Sequence, residues 1–199
     1  LGASGVEVSV VGNHEFDAGF KDLTERVIPR YAKSTGVDGA ELALGANVYQ
    51  KGTKTPALKE YAIREIDGVK VGFIGTVTES TAAMVSPTGI KDIEFGDQLE
   101  AANRVAAALS DGNEKNGEAD AIVLLTHDGS AVDKCEAIAT EKTIYGKLVR
   151  EASAKINAII SGHTHQAYDC SFPVEGWAAG LERPVIQSHQ YGTTFGALD

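Results

Sequence analysis

Asp120-Ala121-Ile122-Val123-Leu124-Leu125-Thr126-His127-Asp128-Gly129 is an apolar run that ends in His-Asp-Gly. Its Ile, Val and Leu residues read as a buried central strand over 120–125, with polar chemistry just past its carboxyl end. Two other stretches repeat the arrangement. Ile156-Asn157-Ala158-Ile159-Ile160 runs into Ser161-Gly162-His163-Thr164-His165. Val6-Glu7-Val8-Ser9-Val10-Val11 runs into Gly12-Asn13-His14-Glu15-Phe16-Asp17. Three strands therefore deliver histidines to one rim, and open α/β sheets bind ligands outside the carboxyl ends of their strands. Helical spacing places helices over Gly19 to Lys33, Gly96 to Asp111 and Lys142 to Ala154. Leu42 to Val48 and Pro184 to Gln187 read as further strands. Asp67-Gly68 between Tyr61-Ile66 and Val69-Ile74 is a hairpin signal. Strands alternating with helices predict an α/β fold, and the hairpin makes its sheets mixed. Phe172 to Arg183, with Trp177, reads as a surface loop.

The chain has 199 residues, 43% of them apolar and 23% charged. That size and mix fit one globular domain with a sizeable core, and exclude a disordered tail or a disulfide-dense miniprotein. No apolar run reaches the ~18 residues of a membrane helix, and no signal peptide is visible. Lys and Arg number 18 against 28 Asp and Glu, a net charge of −10. Such a surface repels a phosphate backbone, so no nucleic-acid partner is expected. Small phosphorylated ligands remain open, because a bound cation reverses the local field. Two cysteines, Cys135 and Cys170, suffice for one disulfide in an oxidising compartment.

His163 and His165 are two residues apart, and in extended chain such side chains point the same way. Two imidazoles on one side of a loop suit a divalent metal, although solvated loop histidines have the same spacing. The block at 12–17 is more specific. Gly12 permits a tight exit from the strand, and Asn13 offers a neutral amide oxygen to a hard cation. His14 and Asp17 can pair, the carboxylate fixing the imidazole tautomer and raising its basicity. A helix N-cap at Asp17 explains less of the cluster. Asn47, Asp128 and Ser130 read as turn formers, His189 as a surface or supporting residue, and Phe16 as packing beneath its loop.

Gly12-Asn13-His14-Glu15-Phe16-Asp17, Thr126-His127-Asp128-Gly129 and Gly162-His163-Thr164-His165 together resemble three ordered blocks of the calcineurin-like metallophosphoesterase superfamily. The first block resembles the secreted 5′-nucleotidase branch, which includes UDP-sugar hydrolases and 2′,3′-cyclic phosphodiesterases. Gln187 to Gly192 and Phe195 to Asp199 resemble that branch's closing strand pair. The resemblance implies an αββα sandwich whose first βαβ portion is missing here. It implies an extracellular, cell-wall or periplasmic setting, and nucleotides or related small phosphate esters as substrates.

It also implies residue roles. Asn13, His127 and His163 correspond to ligands of one metal, and His165 to a ligand of the other. His14, held by Asp17, corresponds to the catalytic pair. Two divalent ions (Zn, Mn, Fe or Co) would clamp the phosphate and activate a water. The family's Asp-x-His and its Gly-Asp with a bridging carboxylate have no counterpart in this sequence. Residues 1–199 are thus expected to be a catalytic-domain fragment, without the C-terminal nucleotide-binding domain. The fragment is expected to bind at most one metal tightly and to hydrolyse esters poorly. Cys135 and Cys170 follow two of the blocks, and a bridge between them fits an exported protein; two free thiols or metal ligation are the alternatives. A non-catalytic module with a vestigial metal site is the reading from another functional class.

Overall fold

The computed structural model of the chain describes residues 4–198. Six strands form one mixed sheet in the order β2-β3-β5-β6-β8-β7. They are β2 (Tyr61–Ile66), β3 (Val69–Val77), β5 (Ala121–His127), β6 (Ala158–Ser161), β7 (Ala167–Pro173) and β8 (Glu182–Ser188). β2 and β3 are the hairpin around Asp67, whose φ of 50° and the φ of 83° at Gly68 make the tight reversal. β3, β5, β6 and β8 are mutually parallel, and β7 closes the edge antiparallel to β8. A second, two-stranded sheet pairs β1 (Val48–Gln50) with β4 (Ile93–Phe95). The α/β class and mixed sheets are as the sequence predicts.

Two apolar cores hold these layers. In the larger, Ile74, Ile122, Leu124 and Ile159 of the sheet meet Ala102, Val105, Tyr145 and Leu148. The last four come from α4 (Gln98–Ala108) and α6 (Ile144–Glu151). Gly72 of β3 permits this fit, since a Cβ there would meet Leu109 at 3.0 Å; at Gly75 a Cβ would overlap Leu44, on the segment that crosses β3. The smaller core joins Val11, Phe16, Leu23, Val48, Val77 and Ile93. It anchors the 12–17 loop from beneath, with Phe16 edge-on to Phe95 at 5.0 Å.

Several expected elements are corrected. Residues 6–11 form no strand of their own. Only Val10 bridges to Leu44, flanked by hydrogen bonds from Ser9 N to Glu41 O and from Val11 N to Leu44 O. Leu42 to Val48 is likewise broken. Gly39–Leu42 is a 3-10 turn, and Gly45 N and Ala46 N donate to Lys59 O and Gly75 O, so no single partner strand extends it. The first helix is composite: α1 (Phe20–Asp22), a π turn over Leu23–Val27, then α2 (Ile28–Thr35). Pro29 accounts for this, since its missing N–H removes one i→i−4 bond; Ile28 N instead reaches Leu23 O. Two more short helices, α3 (Thr81–Met84) and α5 (Cys135–Thr140), fill loops. The closing strand pair is β7 with β8. Residues 189–198 form no strand, and Asp199 lies outside the described residues. The surface loop narrows to 174–181, where Trp177 Nε1 donates to Ala154 O.

Candidate active site

The 12–17 loop leaves the small core as a 3-10 turn over Asn13–Phe16. Glu15 stabilises its start by accepting from Gly12 N at 2.7 Å. Phe16 is fully buried, and that anchor turns Asn13 inward while leaving His14 outside. Asn13 is 7% exposed, and its Oδ1 stands 3.0 Å from His127 Nε2. Gly12 is required for this approach. A Cβ there would lie 2.7 to 2.9 Å from three atoms of the His127 ring.

His127 ends β5, in register with Val77 of β3. Its ring packs on that of His163, with centroids 5.1 Å apart. Burial pushes its pKa down to about 4, and the neighbouring His163, His14 and His165 add to the depression. At neutral pH the imidazole is therefore uncharged, the state in which it can donate a lone pair to a metal. Two donor atoms held about 2.1 Å from one ion at right angles lie roughly 3 Å apart. The Asn13–His127 separation matches that spacing, so these residues fit a cation.

His163 and His165 do not sit on an extended segment. Both have left-handed backbones, with φ of 69° and 61°. This corrects the expectation that spacing alone aims them alike. His163 joins His127, whereas His165 faces Tyr191 with ring centroids 5.9 Å apart. The structure thus brings Asn13, His127 and His163 together and gives His165 a different neighbour.

His14 Nδ1 meets Asp17 Oδ2 at 2.9 Å, and their side chains are 80% and 60% exposed. Asp128 turns away from the rim. Its carboxylate accepts from Gln98 Nε2 and Gly129 N, each at 2.8 Å, and burial raises its pKa. Among the described residues, no three His, Cys, Asp or Glu side chains converge on one point. Among the described residues, this corner is therefore two imidazoles and an amide, without a carboxylate. Asn47, read from sequence as a turn former, is fully buried and ties three strands' ends together. It donates to Val77 O and Gly96 O and accepts from Val77 N. Cys135 at the start of α5 and Cys170 in β7 are joined as a disulfide.

Residues 3–167 match the family profile described as calcineurin-like phosphoesterase. The chain belongs to that family. That family is one of phosphoesterases, hydrolases of phosphoester bonds. Endonuclease YhcR of Bacillus subtilis is 37% identical over 98% of this chain and 15% of its own length. Cell wall protein Lmo0130 of Listeria monocytogenes is 30% identical over 95% of this chain and 25% of its own. 5′-Nucleotidases of Vibrio species are further relatives. A putative 5′-nucleotidase from Staphylococcus aureus superposes with a TM-score of 0.68 at 19% identity, covering 94% of this chain and 33% of that one. The chain therefore spans between about 15% and 35% of these proteins' lengths. No helix among the described residues is long and apolar enough to cross a membrane.

Proposed function

We propose that this phosphoesterase chain carries the cation corner and the acid–base pair of an enzyme that hydrolyses 5′-nucleotides or closely related small phosphate esters. Asn13, His127 and His163 would hold one divalent cation, and His165 would serve a second. The single observation that carries this reading is Asn13 Oδ1 facing His127 Nε2 at 3.0 Å, with His163 packed on the same ring. When bound, the cations supply charge neutralisation on the phosphoryl oxygens and a water made acidic enough to attack at neutral pH.

The chain's own contributions are positional. Asp17 occupies His14 Nδ1, which fixes the tautomer and leaves Nε2 facing solvent, where a substrate arrives. When the ring carries a second proton on Nε2, with Asp17 balancing the charge, the imidazolium can stabilise charge on the phosphoryl group and give that Nε2 proton to the leaving oxygen. His127 stays neutral in its buried corner, so its nitrogen is available to a cation over the working pH range. With no carboxylate in the corner, one cation of moderate affinity is expected to bind this chain.

A small substrate agrees with the net charge of −10, which opposes a nucleic-acid polymer of the kind named for YhcR. The disulfide supports an oxidising setting outside the cytoplasm, as does kinship with a cell-wall protein. The test is nitrophenyl-phosphate turnover with added Mn²⁺ or Zn²⁺, comparing the natural protein with His14→Ala. Loss of turnover in the variant supports the reading, and equal rates overturn it.

A further inference from the structure

A buried polar cluster lies beneath the 162–165 loop. Gln187 of β8 is 3% exposed, stands opposite Tyr168 in the β7–β8 ladder, and follows the residues that pair with β6. Its amide grips the Thr164 hydroxyl, Nε2 donating to Oγ1 at 3.0 Å and Oε1 accepting from Oγ1 at 3.2 Å. The same Oε1 lies 3.2 Å from the Tyr168 hydroxyl. Tyr168 is linked in turn to Tyr145, and Tyr145 to Ser161 at the end of β6. Burial raises the pKa of both tyrosines, so these hydroxyls keep their protons. Gly129, two residues beyond His127, closes the cluster from the other side. A Cβ there would overlap Gln187 Oε1 and stand 2.6 Å from Gly162 O and 2.7 Å from Thr164 Oγ1.

Thr164 is the one residue between two left-handed histidines. Left-handed backbone is unfavourable for side chains other than glycine, and such strain persists only where surrounding contacts over-determine it. The Thr164 hydroxyl is the loop's side-chain tie to the sheet, and the Gln187 amide is its partner.

We propose that Gln187 is a positioning residue. By clamping Thr164 it holds His163 against His127 and fixes the direction of His165. The role rests on the reading of this rim as a cation site. Residues that orient metal ligands typically contribute 10- to 100-fold in metal affinity.

The test uses the 199-residue chain with Gln187→Leu, Thr164→Val, their double variant and Thr164→Ser. Carbon-13 NMR of the imidazoles without metal is the first readout. His163 and His165 signals shift in Gln187→Leu and in Thr164→Val, His14 stays in place, and Thr164→Ser restores the natural spectrum. Mn²⁺ titration is the second. Each single variant binds about tenfold or more weakly, and the double variant is no weaker than the stronger single one, as expected when two changes break one contact. Should Gln187→Leu fail to fold, Thr164→Val with its serine rescue carries the same comparison. Unmoved His163 and His165 signals in Thr164→Val overturn the positioning role, whatever the metal does. Shifted signals in the variants, together with a natural chain that takes up no Mn²⁺, leave the positioning role standing and overturn the cation reading.

Discussion

Asn13 and His14 are adjacent in sequence and sit in opposite environments. Buried Asn13 meets half-buried His127 at the end of β5, with His163 of the loop after β6 packed on the same ring. His14 belongs to an exposed pair with Asp17, held by one hydrogen bond on the surface of the turn. The corner is tied to the fold: its donors are positioned by core packing, and disturbing them disturbs the protein. The pair is nearly independent of the fold and free to meet a substrate. On the proposed function, one loop separates the task of holding an ion from the task of handling a proton.

The sharpest way to break this contrast is His14→Ala. Turnover of nitrophenyl phosphate is expected to fall about 10²- to 10⁴-fold, while the thermal midpoint and Mn²⁺ affinity stay put. A large fall in stability would merge the two regions. Gly12→Ala attacks the corner from its neighbour, since the added Cβ meets the His127 ring at under 3 Å. Calorimetry is expected to show a loss of about 1–3 kcal/mol from overpacking, with Mn²⁺ binding weakened alongside. Unchanged stability and affinity would mean that the ring moves aside freely.

Acid should separate the regions too. The folded-state pKa of His127, about 4, lies below its ordinary value of 6.5. The unfolded chain therefore binds the extra proton between those values. Stability of the metal-free chain is complete above about pH 6.5 and falls as pH drops toward 4, by at most roughly 3 kcal/mol from this group. His127→Gln is expected to flatten that slope in a urea titration series, and His14→Ala to leave it intact. The smallest effect is expected from Asp17→Asn. Turnover falls about tenfold through loss of the oriented tautomer, with no change in the melting curve. A loss as large as that of His14→Ala would give Asp17 a chemical role beyond orientation.

The sequence was legible where a local rule decides the outcome. The hairpin at Asp67-Gly68 needs residues that accept positive φ, and it forms there. His127 follows a run whose alternate residues Ile122 and Leu124 enter the core, so its place at the sheet's end follows from the strand. Where the partner decides, local reading failed. Val6 to Val11 has the composition of a strand but finds only Leu44 to bridge. β7 hides in polar-looking sequence, although Tyr168 and Cys170 alternate inward against exposed Asp169 and Ser171, which is a usable signal. At the candidate site, the block at 12–17 singled out Asn13, His14 and Asp17, and the structure places Asn13 on His127 and pairs His14 with Asp17. The grip of Gln187 on Thr164 spans 23 residues, and no spacing rule reveals a contact made by a loop folding back onto a distant strand. The left-handed turn at His163 and His165 also escapes sequence reading, because neither residue is the glycine or asparagine that usually marks one.

Anomalous diffraction from crystals of this chain soaked in Zn²⁺ tests the central claim most directly. The account predicts one strong peak within bonding distance of Asn13 Oδ1 and of imidazole nitrogens from both His127 and His163. Zinc found only on exposed histidines such as His14 or His189, with that corner empty, would contradict it.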